Sequence, residues 1–410
     1  MIKSLCTFFC ICLLPFILHS QNCDYTQLKY GVRTVKNIFI GIAPNHKGAP
    51  DSLFVDIYYP VGSPEEKKPL VIWIFGGGFF QGNRQSMDAI CTRTAKQGFV
   101  AATIDYRIGF EGIDVNFAPP FAFDKAEIIR AGFRGVQDAK SAIRFLKARH
   151  RVDSIDLDRI WIGGVSAGSI VAMGSIFINQ ATEKPAEAGY LSPANSSARP
   201  DLGSIDGDLH LNGYDTKVQG IFNIFGALLD TNLITLDDEV ALFSYHQNLD
   251  PVVPCDAKTP YWPYPLVPVN YPIAYGSCMI NLRLKNLNNP ANFYKTWIYN
   301  GNQHAFHNEA SVLDYMVQNA NPFLCGTLSE TKMATSPEFS IYPNPVENVL
   351  YIKSEFNYKG IEIIDLKGNV VYKNQDANLP YINVSHFQQG LYFLRYFTTY
   401  GYKNIRFVKE

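Results

Sequence analysis

Short apolar runs alternate along the chain with segments of helical spacing. Leu53–Tyr59 alternates as a half-buried strand does, and Pro69–Phe75 is a continuous apolar run followed by three glycines. A run of that kind predicts a strand buried on both faces. Gly98–Ile104 repeats it, and Met87–Gln97 between them has room for a helix. Arg130–Arg149 carries Val136, Ala139, Ile143 and Leu146 at helical spacing and predicts a long amphipathic helix. Further strands are expected at Ile160–Ile162, Val218–Phe225, Val240–Tyr245 and Tyr294–Tyr299. Strands alternating with helices predict an α/β domain with a mostly parallel sheet. Thr182–Lys217, rich in Pro, Ala, Ser, Gly and Asp, reads as a surface excursion near the site or a partial lid.

The pattern changes at residues 326–338, which read as a linker. From Phe339 on, no helix is expected, and short strands are predicted at Val349–Ile352, Gly360–Asp365, Asn369–Tyr372, Leu391–Tyr396 and Asn404–Val408. Turn signals at Lys367–Asn369 and Gln389–Gly390 separate some of them, and a small β-sandwich follows. At the other end, Lys3, the apolar stretch Leu5–Leu18 and Ser20 read as a secretory signal peptide over residues 1–20. The expected division is thus signal 1–20, an α/β domain 21–325, linker 326–338 and β-sandwich 339–410. No later stretch is long and apolar enough to predict a membrane span. A net charge of -1 removes the electrostatic case for a nucleic-acid partner.

Chemistry concentrates first at Gly164-Val165-Ser166-Ala167-Gly168, between the apolar run ending at Gly163 and the small-residue, helix-compatible stretch 167–179. Alone, the pentapeptide is also compatible with a turn that merely begins a helix. Between a strand and a helix it is the pattern of a nucleophile elbow, which exposes a serine hydroxyl at a tight turn. Serine needs a base to take its proton and an acid to orient that base. Searching downstream in the order Ser, acid, His selects Asp250, after the strand-like run 240–243, and His304, in the loop after 294–299. Asp230 and His307 are the rivals, and His246 lies upstream of Asp250 and breaks the order. Acyl transfer also needs donors for a developing oxyanion. Gly77 and Gly78 in the glycine loop, with Ala167 after the serine, are the candidates. The loop lacks the spacing of a phosphate-binding motif.

Three of the eight cysteines fall in the signal segment, and an exported chain favours disulfides among the rest. The expected pairs are Cys23–Cys91 and Cys255–Cys278. No cysteine or histidine cluster has zinc spacing, and Asp206-Gly-Asp208 reads as a turn. No metal or cofactor is expected.

Together these motifs resemble the α/β-hydrolase superfamily, and within it secreted carboxylesterase and feruloyl-esterase-like enzymes. The resemblance is carried by residues 69–82, 103–107, 134–138, 164–168, 249–254 and 301–306. It implies the α/β-hydrolase fold, a mostly parallel sheet flanked by helices. It also implies an ester substrate, free or polysaccharide-linked, and the oxyanion donors named above. Two positions depart from it: Phe75 stands where His or Tyr usually precedes the glycines, and Val165 where an acidic residue often precedes the serine. Residues 339–345, 363–368, 390–393 and 403–409 resemble the type A C-terminal sorting domain of the type IX secretion system. That implies export through this machinery to the cell surface or medium. A serine peptidase of the same fold, or a non-catalytic surface binding protein, uses the same features and stays open at this point.

Overall fold

The computed structural model describes residues 23–194, 197–287, 289, 293–326, 339–354, 358–366, 368–375, 379–398 and 401–410. The expected signal peptide, the expected linker beyond Gly326 and the turn residue Lys367 lie outside the described residues. Eight strands build the main sheet: β1 (Gly31–Pro44), β2 (Pro50–Val61), β3 (Lys68–Ile74), β4 (Val100–Ile104), β5 (Ile155–Val165), β6 (Gly220–Ile224), β7 (Ala241–Gln247) and β8 (Tyr294–Tyr299). Their order is β1-β2-β4-β3-β5-β6-β7-β8. Only β2 runs against its neighbours, and every pair from β4 to β8 is parallel. Among the described residues, five helices of nine residues or more pack around it: α1 (Asp88–Lys96), α2 (Lys125–Ala148), α3 (Ala167–Phe177), α4 (Ser277–Asn286) and α5 (Glu309–Leu324).

The continuous apolar runs are the buried inner strands, as their pattern predicts: residues 69–74 and all of β4 are buried. Strand β1 is mostly exposed along its length, so it has no hydrophobic alternation for the sequence to display. Helix α2 begins at Lys125, five residues before the expected start, because the Asp124 side chain accepts a hydrogen bond from the Ala126 N–H (2.9 Å) and caps it.

The excursion after α3 runs along α2. Buried polar side chains of the helix hold its irregular backbone by donating to its carbonyls: Arg130 to Glu187, Gly189 and Pro200, Gln137 to Leu202 and Ser204, and Arg144 to Asp206, Leu209 and His210. Backbone groups taken from water need such partners, which accounts for a helix carrying cationic residues on a buried face. Asp206 pairs with Lys140 (3.2 Å).

The disulfides require one correction. Cys255 pairs with Cys278, but Cys23 pairs with Cys325 and not with Cys91. Cys91 is a free thiol, fully buried on the inner side of α1. The N-terminal segment is instead led to α5, where the Tyr25 N–H donates to Asn321 Oδ1 (2.9 Å). The Cys23–Cys325 bond closes a sequence separation of 302 residues. Replacing both cysteines by serine is expected to cost about 2–4 kcal/mol of stability through loss of this crosslink on the unfolded chain. Denaturant melts without reductant check it, and an unchanged midpoint counts against the bond.

The C-terminal part has its own core. Strands β9 (Phe339–Tyr342), β10 (Val349–Ser354), β11 (Gly360–Asp365), β12 (Val370–Asn374), β13 (Tyr381–Asn383), β14 (Gly390–Thr398) and β15 (Gly401–Lys409) form two antiparallel sheets, β9-β10-β13 and β12-β11-β14-β15. Alternate residues such as Leu350 and Ile352, or Tyr392 and Leu394, fill the space between the sheets.

Candidate active site

Ser166 sits at the turn between β5 and α3 with φ 58° and ψ -124°. A non-glycine residue in that region costs of order 1–3 kcal/mol and persists where surrounding structure over-determines it. Here the Ser166 N–H donates to the Ile224 carbonyl (2.9 Å), and the flanking glycines permit close contact. A Cβ on Gly164 would lie 2.3 Å from the Gly168 carbonyl carbon, and one on Gly168 would lie 2.2 Å from the Ile74 oxygen. Both clashes are with backbone, so the pentapeptide's glycines are steric requirements of the turn.

The glycine loop lies beside this turn. A Cβ on Gly76 would fall 3.1 Å from Ser166 Cβ, and Gly77 has φ 117°, where a side chain is strained. Among the described residues nothing accepts from the N–H groups of Gly77 or Gly78. Ala167 opens α3, where first-turn N–H groups have no intrahelical acceptor. Phe75 supports the loop through its backbone and its ring. Its carbonyl accepts from the Tyr106 hydroxyl (3.2 Å), and its ring stacks on Tyr106 at 4.5 Å.

Asp250 and His304 converge on the serine from the loops after β7 and β8. His304 Nε2 is 2.7 Å from Ser166 Oγ, and His304 Nδ1 is 2.7 Å from Asp250 Oδ2. A carboxylate can only accept, so Nδ1 carries the proton and Nε2 accepts from the serine hydroxyl. The other carboxylate oxygen, Asp250 Oδ1, accepts from the N–H groups of Val252 (2.8 Å) and Val253 (3.0 Å). Gln247 clamps both sides of the histidine: its Oε1 accepts from Gln303 N–H, and its Nε2 donates to the Ala305 carbonyl. The rivals lie elsewhere. His307 stacks on Tyr299 and bonds the Tyr245 hydroxyl, and Asp230 caps a short 3-10 turn through Asn232 N–H.

Behind Asp250 is a residue that chain order had set aside. His246 is fully buried, with Nε2 3.5 Å from Asp250 Oδ2. Its Nε2–H donates to the Val253 carbonyl (2.8 Å), and its Nδ1 accepts from Ser277 (2.8 Å). Asn223 continues the network by donating to Ser277 and Ser244 and accepting from Ser169 on α3. Every link is buried and satisfied, so the acid loop is fixed to the elbow helix. The Cys255–Cys278 disulfide ties the same loop to α4.

Burial alone would raise the pKa of Asp250, but the hydrogen bonds it receives from His246 and His304 outweigh it and hold the carboxyl below its ordinary 3.8. A depressed native pKa gives stability that is present above the unfolded value and lost as pH falls through the native one. Melting curves between about pH 6 and pH 3 should therefore show the advantage of wild type over Asp250→Asn shrinking only at the acid end. A constant difference across that range would contradict this.

An apolar groove of about 670 Å³ adjoins the turn, lined among others by Phe79, Ile129, Phe133, Ile170, Leu228 and Ile273. Phe79 follows the glycine loop, and the Ile170 N–H donates to the Ser166 carbonyl (3.1 Å). Among the described residues no cluster of His, Cys, Asp or Glu could hold a metal, and no helix is long and apolar enough to cross a membrane.

Residues 55–119 match the BD-FAE family model, and residues 340–410 match the secretion system C-terminal sorting domain. Gut esterase 1 of Caenorhabditis briggsae is 32% identical over 107 residues, 26% of this chain and 17% of that protein. Pyrethroid hydrolase Ces2a of Mus musculus is 30% identical over 159 residues, 38% of this chain and 24% of that one. Esterase LipI of Mycobacterium tuberculosis is 29% identical over 118 residues, 28% of this chain and 31% of that one. The matched segments thus span less than a third of these relatives. A propionate-bound esterase of Thermogutta terrifontis superposes with a TM-score of 0.43 at 19% identity, covering 70% of this chain and 94% of that one.

Proposed function

We propose that this chain, an α/β-hydrolase with esterase relatives and a C-terminal secretion sorting domain, is an exported serine hydrolase that cleaves carboxylic esters. The observation that carries this is the unbroken hydrogen-bonded line from Ser166 through His304 to Asp250 at a strand-to-helix turn. His304 takes the Ser166 proton as Oγ attacks the ester carbonyl carbon. Asp250 keeps the proton on Nδ1 and stabilises the imidazolium as it forms. The N–H groups of Gly77, Gly78 and Ala167 receive the oxyanion, each worth roughly 2.7–4 kcal/mol by deletion. His304 then returns the proton to the departing alcohol, leaving an acyl group on Ser166 Oγ. A water, deprotonated by the same histidine, attacks that acyl carbon, releases the carboxylic acid and restores the serine.

The apolar groove beside Phe79 and Ile170 supports a substrate with an apolar acyl or alcohol portion. Residues 21–325 are read as the catalytic domain and 339–410 as the sorting domain that directs type IX export. Two disulfides suit the oxidising compartment such a route reaches. A panel of acetyl, butyryl, feruloyl and long-chain esters, run beside amide and peptide counterparts, tests the reading. Ester turnover well above amide turnover is expected. Cleavage of peptides but not esters would replace it with the peptidase reading.

A further inference from the structure

Strand β7 ends at Gln247, which is 3% exposed and lies three residues before Asp250. Its main-chain carbonyl accepts from the Asp250 N–H (3.2 Å). Its side chain turns to the other loop, where Nε2 donates to the Ala305 carbonyl (2.9 Å) and Oε1 accepts from the Gln303 N–H (2.9 Å). Those two residues flank His304. One residue therefore holds the acid through its backbone and the base through its amide. A side-chain amide suits this task because it offers a donor and an acceptor side by side.

The base loop depends on that amide. Asn248 Oδ1 accepts from the Gly301 N–H (3.0 Å), and the Leu249 N–H donates to the Gly301 carbonyl (3.0 Å), so the loop is pinned as far as Gly301. From Asn302 to Phe306 the chain is neither helix nor strand, and Asn302 and Gln303 are exposed. Among the described residues, the two bonds to Gln247 are the only hydrogen bonds made by the main chain of that stretch. Gly301 makes room for them, since a Cβ there would lie 2.1 Å from Gln247 Oε1. We propose that Gln247 is a positioning residue, which sets the distance and angle between Asp250 and His304 by tying both loops to the end of β7. It acts through these two side chains and not on the substrate. The inference rests on Ser166, His304 and Asp250 being the reacting line.

Steady-state kinetics of the full chain with p-nitrophenyl butyrate test this. Gln247→Met keeps the length of the side chain and removes both bonds. Its kcat is expected to fall about tenfold or more with KM within about twofold of wild type, since a misplacement of about 1 Å can cost about 10²-fold. A role in packing alone would lower the melting temperature and leave kcat of the folded enzyme near wild type. Gly301→Ala reaches the same bonds from the other side: its methyl group displaces the buried amide, so a similar fall in kcat is expected. Added to Gln247→Met it should cost little more, because the clamp is already gone. Circular dichroism verifies that each variant is folded, and if Gln247→Met is not, Gly301→Ala alone decides by the same criterion. A folded variant that keeps kcat within about twofold, a loss confined to KM, or full additivity of the two substitutions would overturn the proposal. Wild type that turns over no ester is a separate outcome, which removes the catalytic reading of Ser166 and this inference with it.

Discussion

Ser166→Ala is expected to lower kcat for a short-chain aryl ester by about 10⁴-fold or more, with KM and melting temperature close to wild type. The hydroxyl is the only group at the elbow able to form the acyl bond, and among the described residues its one side-chain hydrogen bond is to His304. The positive φ at this position belongs to the turn, so alanine carries the same backbone strain as serine. Residual turnover would come from the oxyanion donors and substrate binding alone. Steady-state kinetics beside a thermal melt check both halves of this expectation. A large fall in melting temperature would mean that the activity loss reports unfolding.

Asp250→Asn should be nearly as damaging, for a reason specific to this site. The N–H groups of Val252 and Val253 both point at Oδ1, so the carbonyl of an introduced amide is held there. Its NH₂ group must then occupy the Oδ2 position and face His304 Nδ1. A donor there moves the imidazole proton to Nε2, where it blocks acceptance of the serine proton. The expected loss in kcat is about 10⁴-fold with substrate binding retained. A loss below tenfold would show that another group orients His304.

Most of this site could be read from the chain because each component is local. The elbow is five residues long, the glycine loop ends a buried strand, and Asp250 and His304 each follow an apolar run. What stayed hidden depends on contacts between distant segments. His246 was set aside by chain order, yet it is fully buried behind Asp250 through Ser277, a partner 31 residues away. The Cys23–Cys325 bond could not be told from Cys23–Cys91 without knowing that Cys91 faces inward on α1. The apolar spacing of α2 marks one buried face, whereas the burial of its cationic residues depends on the excursion that covers them. Helix α5 is a different case. Val312, Leu313, Met316, Val317 and Ala320 carry helical spacing in the sequence, so that signal was present and missed.

The central claim is that Ser166 is a nucleophile activated by His304. Labelling the folded chain with a fluorophosphonate, followed by peptide mass analysis, tests it most directly. A single covalent adduct on Ser166 is expected, absent in Ser166→Ala and strongly slowed in His304→Ala. A folded wild-type chain that takes up no label, or takes it up at another residue, would contradict the account.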